Sequence, residues 1–124
     1  MNAIKKLYRN AGLITKDGYI KVNDKLWVKS GPYQEQKLTD VDKFELPNKD
    51  ELNEIRLKIK EIIQTQETCG LPSLRQILEC GYSWAWSSTE HSNIRNWIQK
   101  MSDGNRGYNH KSIDNWFIPI RRAP

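Results

Sequence analysis

Residues 84–90 read WAWSSTE and residues 116–122 read WFIPIRR, and these two runs decide the fold. Large aromatic side chains stand in short runs that are separated by Asn, Ser, Asp and Gly, a pattern typical of β-strands joined by polar loops. Residues two positions apart point to the same face of a strand, so Trp84 shares a face with Trp86, and Trp116 with Ile118. Pro119 predicts an edge position or a bulge in the last strand, residues 115–121. The last third of the chain therefore predicts an aromatic-rich sheet.

Between those two runs the sequence predicts a β-hairpin. Residues 96–101, NWIQKM, form a strand that is followed by the turn SDGN at 102–105, and Asp-Gly is a strong hairpin signal. Residues 103–111, DGNRGYNHK, are predicted to be a hairpin loop. Loops on a rigid scaffold carry most recognition, so we expect this loop to contribute to binding.

The segment 48–66 predicts the main helix. Asn48 is a good N-cap after Pro47, and Glu51 can bond back to it as in a capping box. The apolar residues that follow recur at helical spacing and form one stripe for packing on the sheet: Leu52, Ile55, Ile59, Ile62 and Ile63. A second, shorter helix is predicted from Ser73, its cap, to a stop at Gly81.

The first third of the chain predicts an arm and a second hairpin. Residues 1–14 are expected to form a basic arm or short helix, and residues 15–124 a single domain. Within it, residues 19–29 read as two short strands joined by a turn at Asn23-Asp24. The predicted fold class is α+β, with one long and one short helix packed on a small twisted antiparallel sheet with long loops.

Length and charge limit the function classes. The chain has 124 residues, the length of one domain, and a formal net charge of +5. Both ends of the sequence are basic, and its middle is acidic. No apolar run approaches the ~20 residues that span a bilayer. The basic N-terminal residues are not followed by an apolar segment, so a cytoplasmic location is expected. The positive charge is either a solvated surface or an anion-binding one, and its candidate residues are Lys5, Lys6, Arg9, Lys21, Lys25 and Lys29.

The sequence carries no recognisable catalytic or cofactor motif. Residues 87–91, SSTEH, bring a hydroxyl, an acid and an imidazole close together, but triad members normally converge from separate elements. Cys69 and Cys80 form no CxxC pair and have no histidine beside them, which favours two half-buried thiols over a disulfide or a zinc site. We expect no catalysis, no cofactor and no metal.

The aromatic and arginine residues of the C-terminal part are the candidate contact residues. Trp, Tyr and Arg dominate binding hot spots, and aromatic faces also stack on sugars and bases. For each single Trp, core packing competes with this interpretation. The candidate partner-binding residues are Arg95, Trp97, Arg106, Tyr108, Asn109 and Trp116.

The ordered motifs resemble a known family. Residues 86–90 (WSSTE), a strand centred on Trp97, Asp103-Gly104 and residues 117–121 (FIPIR) follow one another as in the C-terminal domain of the Lcl (collagen-like) adhesins. Residues 44–52, FELPNKDEL, look like the helix start of that family, and residues 16–27 look like its opening hairpin. The resemblance covers about residues 15–122, with an apparent insertion at 64–80 and with Ala85 and Phe44 where the family has Tyr and Trp.

What the resemblance implies is a C-type-lectin-like scaffold that displays variable loops. Residues 87–90 would then form a hydrogen-bonded strand end. Arg121 would contribute a buried or semi-buried guanidinium to a pair. The calcium-ligand cluster of the classical lectins is not present in the sequence, and the cysteine pair of the formylglycine-generating branch is not in the C-terminal loops.

The function expected on this scaffold is a non-enzymatic recognition domain for a macromolecular partner. A protein partner is expected first, as for a phage- or mobile-element-encoded inhibitor of a host system. The alternative is a binder of an anionic polymer, either a nucleic acid or a sulfated glycan.

Overall fold

The computed structural model describes residues 15, 17–31, 33–65 and 84–123. This part of the chain is α+β, as predicted, with one α-helix, two 3-10 turns at Leu38–Asp40 and Lys43–Glu45, and eight strands. The predicted arm at 1–14, the short helix at 73–81 and both cysteines lie outside the described residues. The elements are β1 (Tyr19–Asn23), β2 (Leu26–Lys29), β3 (Gln34–Gln36), α1 (Lys49–Thr65), β4 (Trp84–Glu90), β5 (Arg95–Lys100), β6 (Arg106–His110), β7 (Asn115–Phe117) and β8 (Ile120–Arg122).

The strands form two sheets rather than the single antiparallel sheet that was predicted. One has the order β1-β2-β8 and the other β3-β7-β4-β5-β6. All pairings are antiparallel except that of β4 with β7, where Ala85 lies beside Trp116 in a parallel pair. The hairpin predicted over residues 19–29 is confirmed as β1 and β2, joined by a turn after Asn23.

The single strand predicted over residues 115–121 is two strands that belong to different sheets. β7 ends at Phe117 and β8 begins at Ile120, so the chain changes sheets at Ile118-Pro119. Pro119 has no N–H to donate to a ladder, which explains the interruption that its position predicted. Its carbonyl still accepts a hydrogen bond from the Lys29 N–H at 2.9 Å, and this bond ties the crossing to β2.

The main helix begins with the predicted capping box. Asn48 Oδ1 accepts hydrogen bonds from the N–H groups of Asp50 (3.0 Å) and Glu51 (2.8 Å), while Glu51 Oε1 accepts one from the Asn48 N–H (2.9 Å). The apolar stripe is confirmed at Leu52, Ile55 and Ile59, which are fully buried. Ile62 packs at the margin of the core, and the Ile63 side chain lies outside the described part.

Two hydrophobic clusters cover the two faces of the five-stranded sheet. The first joins α1 to both sheets and includes Ala85 and Ile118, with Trp116 packed against it. The second is built on Trp86 and Ile98, with Trp84 packed against it. Trp84 and Trp86 therefore share a face, as do Trp116 and Ile118, as alternation predicted. In the described ranges, no helix combines the length and apolarity that crossing a bilayer requires.

The β5–β6 hairpin replaces the loop that was predicted at 103–111. The turn is as expected, with Gly104 at a φ of 82° and Asp103 Oδ1 accepting from the Asn105 N–H at 2.9 Å. Residues 106–110, however, form a regular strand paired with β5. Strand pairing prevails over the loop-like composition because Tyr108 finds Trp97 directly across the ladder.

Candidate functional site

Three rings form an aromatic cluster at the β5–β6 edge of the five-stranded sheet: His91, Trp97 and Tyr108. His91 and Tyr108 are stacked, with centroids 3.9 Å apart and planes at 12°. Trp97 meets both of them edge-to-face, at 5.0 Å from His91 and 6.0 Å from Tyr108. These are the arrangements that aromatic pairs prefer. Although it makes two ring contacts, Tyr108 keeps 51% of its surface exposed.

The backbone of β5 and β6 fixes this cluster. Trp97 and Tyr108 are opposite each other in the ladder. Hydrogen bonds link Lys100 to Asn105 and Lys111 to Ile94. Because hydrogen-bonded pairs alternate with non-bonded ones, the Trp97–Tyr108 pair is non-bonded, the type in which side chains lie closest.

His91 joins the cluster through the tight turn that connects β4 to β5. The N–H groups of His91 and Ser92 both donate to the Arg95 carbonyl, each at 3.0 Å. This turn folds the imidazole back over the first residues of β5, where it reaches Trp97. The cluster is therefore a backbone-supported surface rather than the tip of a long loop.

Positive side chains surround the rings. Lys49, the first residue of α1, places its Nζ 5.2 Å from the Trp97 ring centroid. Arg106 reaches the same helix start, with Nη2 3.3 Å from the Lys49 carbonyl and 3.5 Å from Asp50 Oδ1. Arg95 is exposed and, among the described residues, has no ion-pair partner. Strand alternation puts Arg95 on the face of Trp97, and Arg106 on that of Tyr108. We call the set Lys49, His91, Arg95, Trp97, Arg106 and Tyr108 the aromatic–cationic surface.

Two predicted contact residues lie elsewhere. Asn109 alternates with Tyr108 and points to the opposite face, where its Nδ2 donates to Asn115 Oδ1 at 3.4 Å. Trp116 packs against the first core cluster and meets Tyr33 edge-to-face at 6.3 Å. Core packing therefore explains Trp116. The structure brings Arg95, Trp97, Arg106 and Tyr108 together on one face of the sheet.

Sequence reasoning missed Lys49 and His91. His91 follows the WSSTE strand directly, and a turn before the next strand was the signal that could have placed it beside Trp97. Lys49 gave no such signal, because its position depends on how α1 packs against the sheet.

The residues that precede His91 anchor β4 to the start of α1, and the expected hydrogen-bonded strand end is confirmed. Ser87 Oγ donates to the Trp97 carbonyl at 2.7 Å. Thr89 Oγ1 accepts from the Lys49 N–H at 3.1 Å, and the Ser88 N–H donates to the Pro47 carbonyl at 2.8 Å. These hydroxyls are engaged with the backbone, while the His91 ring stacks on Tyr108.

The buried or semi-buried guanidinium expected at Arg121 is not found there. Arg121 is exposed rather than buried, because alternation in β8 turns it outward from Ile120. It pairs with Asp17 and lies 4.1 Å from the Tyr19 ring centroid. The hydrogen bond from Arg121 lowers the pKa of the Asp17 carboxyl from 3.8 to about 2.

Arg122 makes the more enclosed pair. Its Nη2 donates to Glu51 Oε1 at 2.6 Å and to the Leu46 carbonyl at 3.1 Å. This guanidinium therefore holds the start of α1 against β8. The resemblance implied the enclosed pair for Arg121, but alternation along β8 places Arg122 in it instead.

The alternative anion-binding residues divide into two groups. Lys5, Lys6 and Arg9 lie outside the described part. Lys21 is paired with Asp24 at 3.1 Å, and Lys29 lies over the Tyr19 ring, with its Nζ 5.8 Å from the centroid. Lys25 is exposed in the turn between β1 and β2. The lysines of this hairpin thus have an acid or a ring beside them, or stand at a turn.

A small cavity lies beneath the other face of the sheet. Its volume of about 50 Å³ admits a few water molecules rather than a substrate. The buried Asn96 Oδ1 has no hydrogen-bond partner among the described residues, while Asn96 Nδ2 donates to the Ser87 carbonyl at 2.9 Å. The lining residues are Leu38, Lys43, Leu46, Ser88, Glu90, Asn96 and Lys111.

The described ranges contain no group of three or more His, Cys, Asp or Glu side chains that could hold a metal ion. Comparison of the chain with protein-family models, with curated proteins and with solved structures finds no match.

Proposed function

We propose that this protein is a non-enzymatic recognition domain that captures a protein partner on the aromatic–cationic surface. The observation that carries the proposal is the stacked cluster of His91, Trp97 and Tyr108, which stays open to solvent and is flanked by Arg95, Arg106 and Lys49. Aromatic and arginine side chains of this kind supply most of the binding energy of protein interfaces.

The rigidity of the cluster supports the proposal. Each ring packs on the other two, and two of the three stand on paired strands, so little side-chain freedom is lost when a partner binds. Tyr and Trp also provide large contact areas for few rotatable bonds. The stacked rings therefore lose little conformational entropy when a partner binds.

The charge around the rings favours an acidic partner. Arg95, Arg106 and Lys49 outnumber Asp50, the acid that lies 3.5 Å from Arg106. Complementary charge raises association rates and excludes wrong partners. On the resemblance to the adhesin domains, the scaffold is of the C-type-lectin-like type, and the partner is a host protein that a phage- or mobile-element-encoded inhibitor would block.

The test is partner capture from nuclease-treated host lysate by immobilised protein. Arg106→Ala combined with Tyr108→Ala should abolish capture while the domain stays folded at the assay temperature, because both side chains are solvent-exposed and the ring contacts of Tyr108 are the main loss. Phe44→Ala is the matched control, since Phe44 is 88% exposed in a 3-10 turn and has no ring contact with the cluster. This control should capture the partner as the wild type does.

Two results would contradict the proposal. One is capture that survives the double substitution at the cluster. The other is capture that disappears when Lys21, Lys25 and Lys29 are replaced by Ala, which would move binding to the β1–β2 hairpin.

A further inference from the structure

We propose that β6 takes up an extended, acidic segment of the partner protein as an additional strand of the five-stranded sheet. This inference rests on the proposed function, because it states how the partner would reach the aromatic–cationic surface. Strand addition supplies affinity through main-chain hydrogen bonds and specificity through alternate side chains.

The position of β6 in the sheet is the first argument. The strand order is β3-β7-β4-β5-β6, so β6 is an edge strand. Among the described residues β6 pairs with β5, and its second side faces no strand. An edge of this kind presents a row of backbone donors and acceptors to a partner.

The ladder pattern identifies the backbone groups that point outward. The bonds Lys100–Asn105 and Lys111–Ile94 fix the alternation, so Gly107 and Asn109 bond inward to β5. Arg106, Tyr108 and His110 consequently direct their N–H and C=O groups away from the sheet. The His110 carbonyl accepts from the Ile113 N–H at 3.0 Å. Within the described part of the chain, the backbone groups of Arg106 and Tyr108 have no hydrogen-bond partner.

The side chains of β6 are the second argument. The residues whose backbone points outward include Arg106 and Tyr108, which belong to the aromatic–cationic surface. A strand added beside them would lay alternate side chains across the exposed face of Tyr108 and close to the His91 ring. Backbone pairing and ring contact are therefore available to one extended segment at the same time.

The other edges of the two sheets are less suitable. β3 and β8 have three residues each, Gln34–Gln36 and Ile120–Arg122, and carry no aromatic side chain. β1 has an irregular register between Lys21 and Asn23, and the ring of its Tyr19 is covered by Lys29 and Arg121. None of these three edges combines regular outward backbone groups with open rings.

Charge decides between a partner segment and a second copy of this chain. Two β6 strands paired antiparallel about Tyr108 would set Arg106 of each copy opposite His110 of the other, in the same cross-strand row as the Arg95 that pairs with that His110. This arrangement would bring like charges together across the joined sheet, which is destabilising. An acidic segment would instead meet Arg95, Arg106 and Lys49 with opposite charge.

The probe for this inference is a fluorescein-labelled nonapeptide of alternating Glu and Tyr, and its binding is followed by fluorescence anisotropy. His110→Pro is the informative variant, because it removes an outward N–H and no bond of the ladder. His110→Ala is the matched control, since it also loses the imidazole but keeps that N–H. We expect His110→Ala to bind as the wild type does and His110→Pro to bind at least about tenfold more weakly.

A second peptide controls for binding without backbone pairing, and a second measurement controls for misfolding of the His110→Pro variant. A Glu–Tyr peptide of the same sequence with N-methylated backbone amides keeps its side chains but cannot donate hydrogen bonds to an edge, so equal binding by it would overturn strand addition. Amide exchange of the wild type gives a readout that does not depend on whether His110→Pro folds. The Tyr108 N–H should become protected when the Glu–Tyr peptide is bound, and an unprotected Tyr108 N–H would also overturn the inference.

The remaining outcomes separate this inference from the proposed function. If Tyr108→Ala abolishes binding of the Glu–Tyr peptide while His110→Pro does not weaken it, the surface binds without strand addition. If Tyr108→Ala leaves binding unchanged, both proposals are wrong. If the wild type shows no saturable binding up to about 1 mM peptide, strand addition is wrong.

Discussion

At the scale of single residues, Glu51 performs two tasks at the start of α1. One carboxylate oxygen accepts from the Asn48 N–H, and the side chain also pairs with Arg122 on β8. Burial by itself raises the pKa of Glu51, but the hydrogen bonds from Arg122 and Asn48 outweigh this effect and lower the pKa below 4.5. The helix cap and the contact between helix and sheet therefore depend on the same charge.

We expect Glu51→Gln to lower the free energy of unfolding by about 1–2 kcal/mol at pH 7. A lowered pKa in the folded state means that the charge stabilises fully above pH 4.5 and stops stabilising as the pH falls through the folded value. The difference between wild type and variant should therefore shrink as the pH falls below 4.5. Urea unfolding at several pH values measures it.

Asp114→Asn is the control for this prediction. Asp114 is exposed and has no ion pair among the described residues, so its substitution should change stability little at any of these pH values. A gap between wild type and Glu51→Gln that is constant with pH would show that the ion pair with Arg122 contributes nothing.

At the scale of elements, the β5–β6 hairpin shows which parts of the fold follow from local sequence. The turn was predictable because Asp103-Gly104 supplies a left-handed residue where a hairpin needs one. The strand that follows was not, because residues 106–110 are largely polar and their pairing depends on Trp97, eleven residues before their midpoint. The helix α1 was fully predictable from its cap and apolar stripe. The division of the last strand at Pro119 was predictable as an irregularity, whereas its sharing between two sheets is a tertiary property.

The hairpin turn gives a prediction with a matched control. Gly104→Ala should destabilise the protein by about 1–2 kcal/mol, because Gly104 has a φ of 82° and an added Cβ would lie 2.8 Å from Arg56 Nε. Gly107→Ala should cost much less, since its new Cβ would make an ordinary contact with Trp84 at 3.5 Å. Thermal unfolding of both variants checks the difference, and equal losses would mean that the conformation of the turn is not the determinant.

At the scale of the whole molecule, the cationic side chains of the described residues lie on two surfaces. At the three-stranded sheet the charges of Lys21 and Arg121 are matched by Asp24 and Asp17. At the other end of the five-stranded sheet, Arg95 has no such match among the described residues. The total charge and four residues of the aromatic–cationic surface could be predicted from the sequence. The positions of the unmatched charges could not, because ion pairs join segments that are far apart in the chain.

This distribution predicts how the protein responds to salt. Binding of a single-stranded oligonucleotide should be weak at physiological ionic strength and should depend only shallowly on salt concentration. A log–log slope that steepens by about 0.7 for each neutralised phosphate would instead support the anionic-polymer alternative. Fluorescence titration between low and high salt measures the slope, and heparin in place of the oligonucleotide tests a sulfated glycan in the same way.

The pairing of β2 with β8 has a consequence for the order in which the protein assembles. Leu26 lies beside Arg122, so the three-stranded sheet closes only when segments from opposite ends of the described chain meet. A ribosome releases the first hairpin long before its third strand has been synthesised. The β1–β2 hairpin therefore stays unpaired on one side until β8 is present. We expect the three-stranded sheet to be completed late, after α1 and the five-stranded sheet have formed a surface on which it can pack.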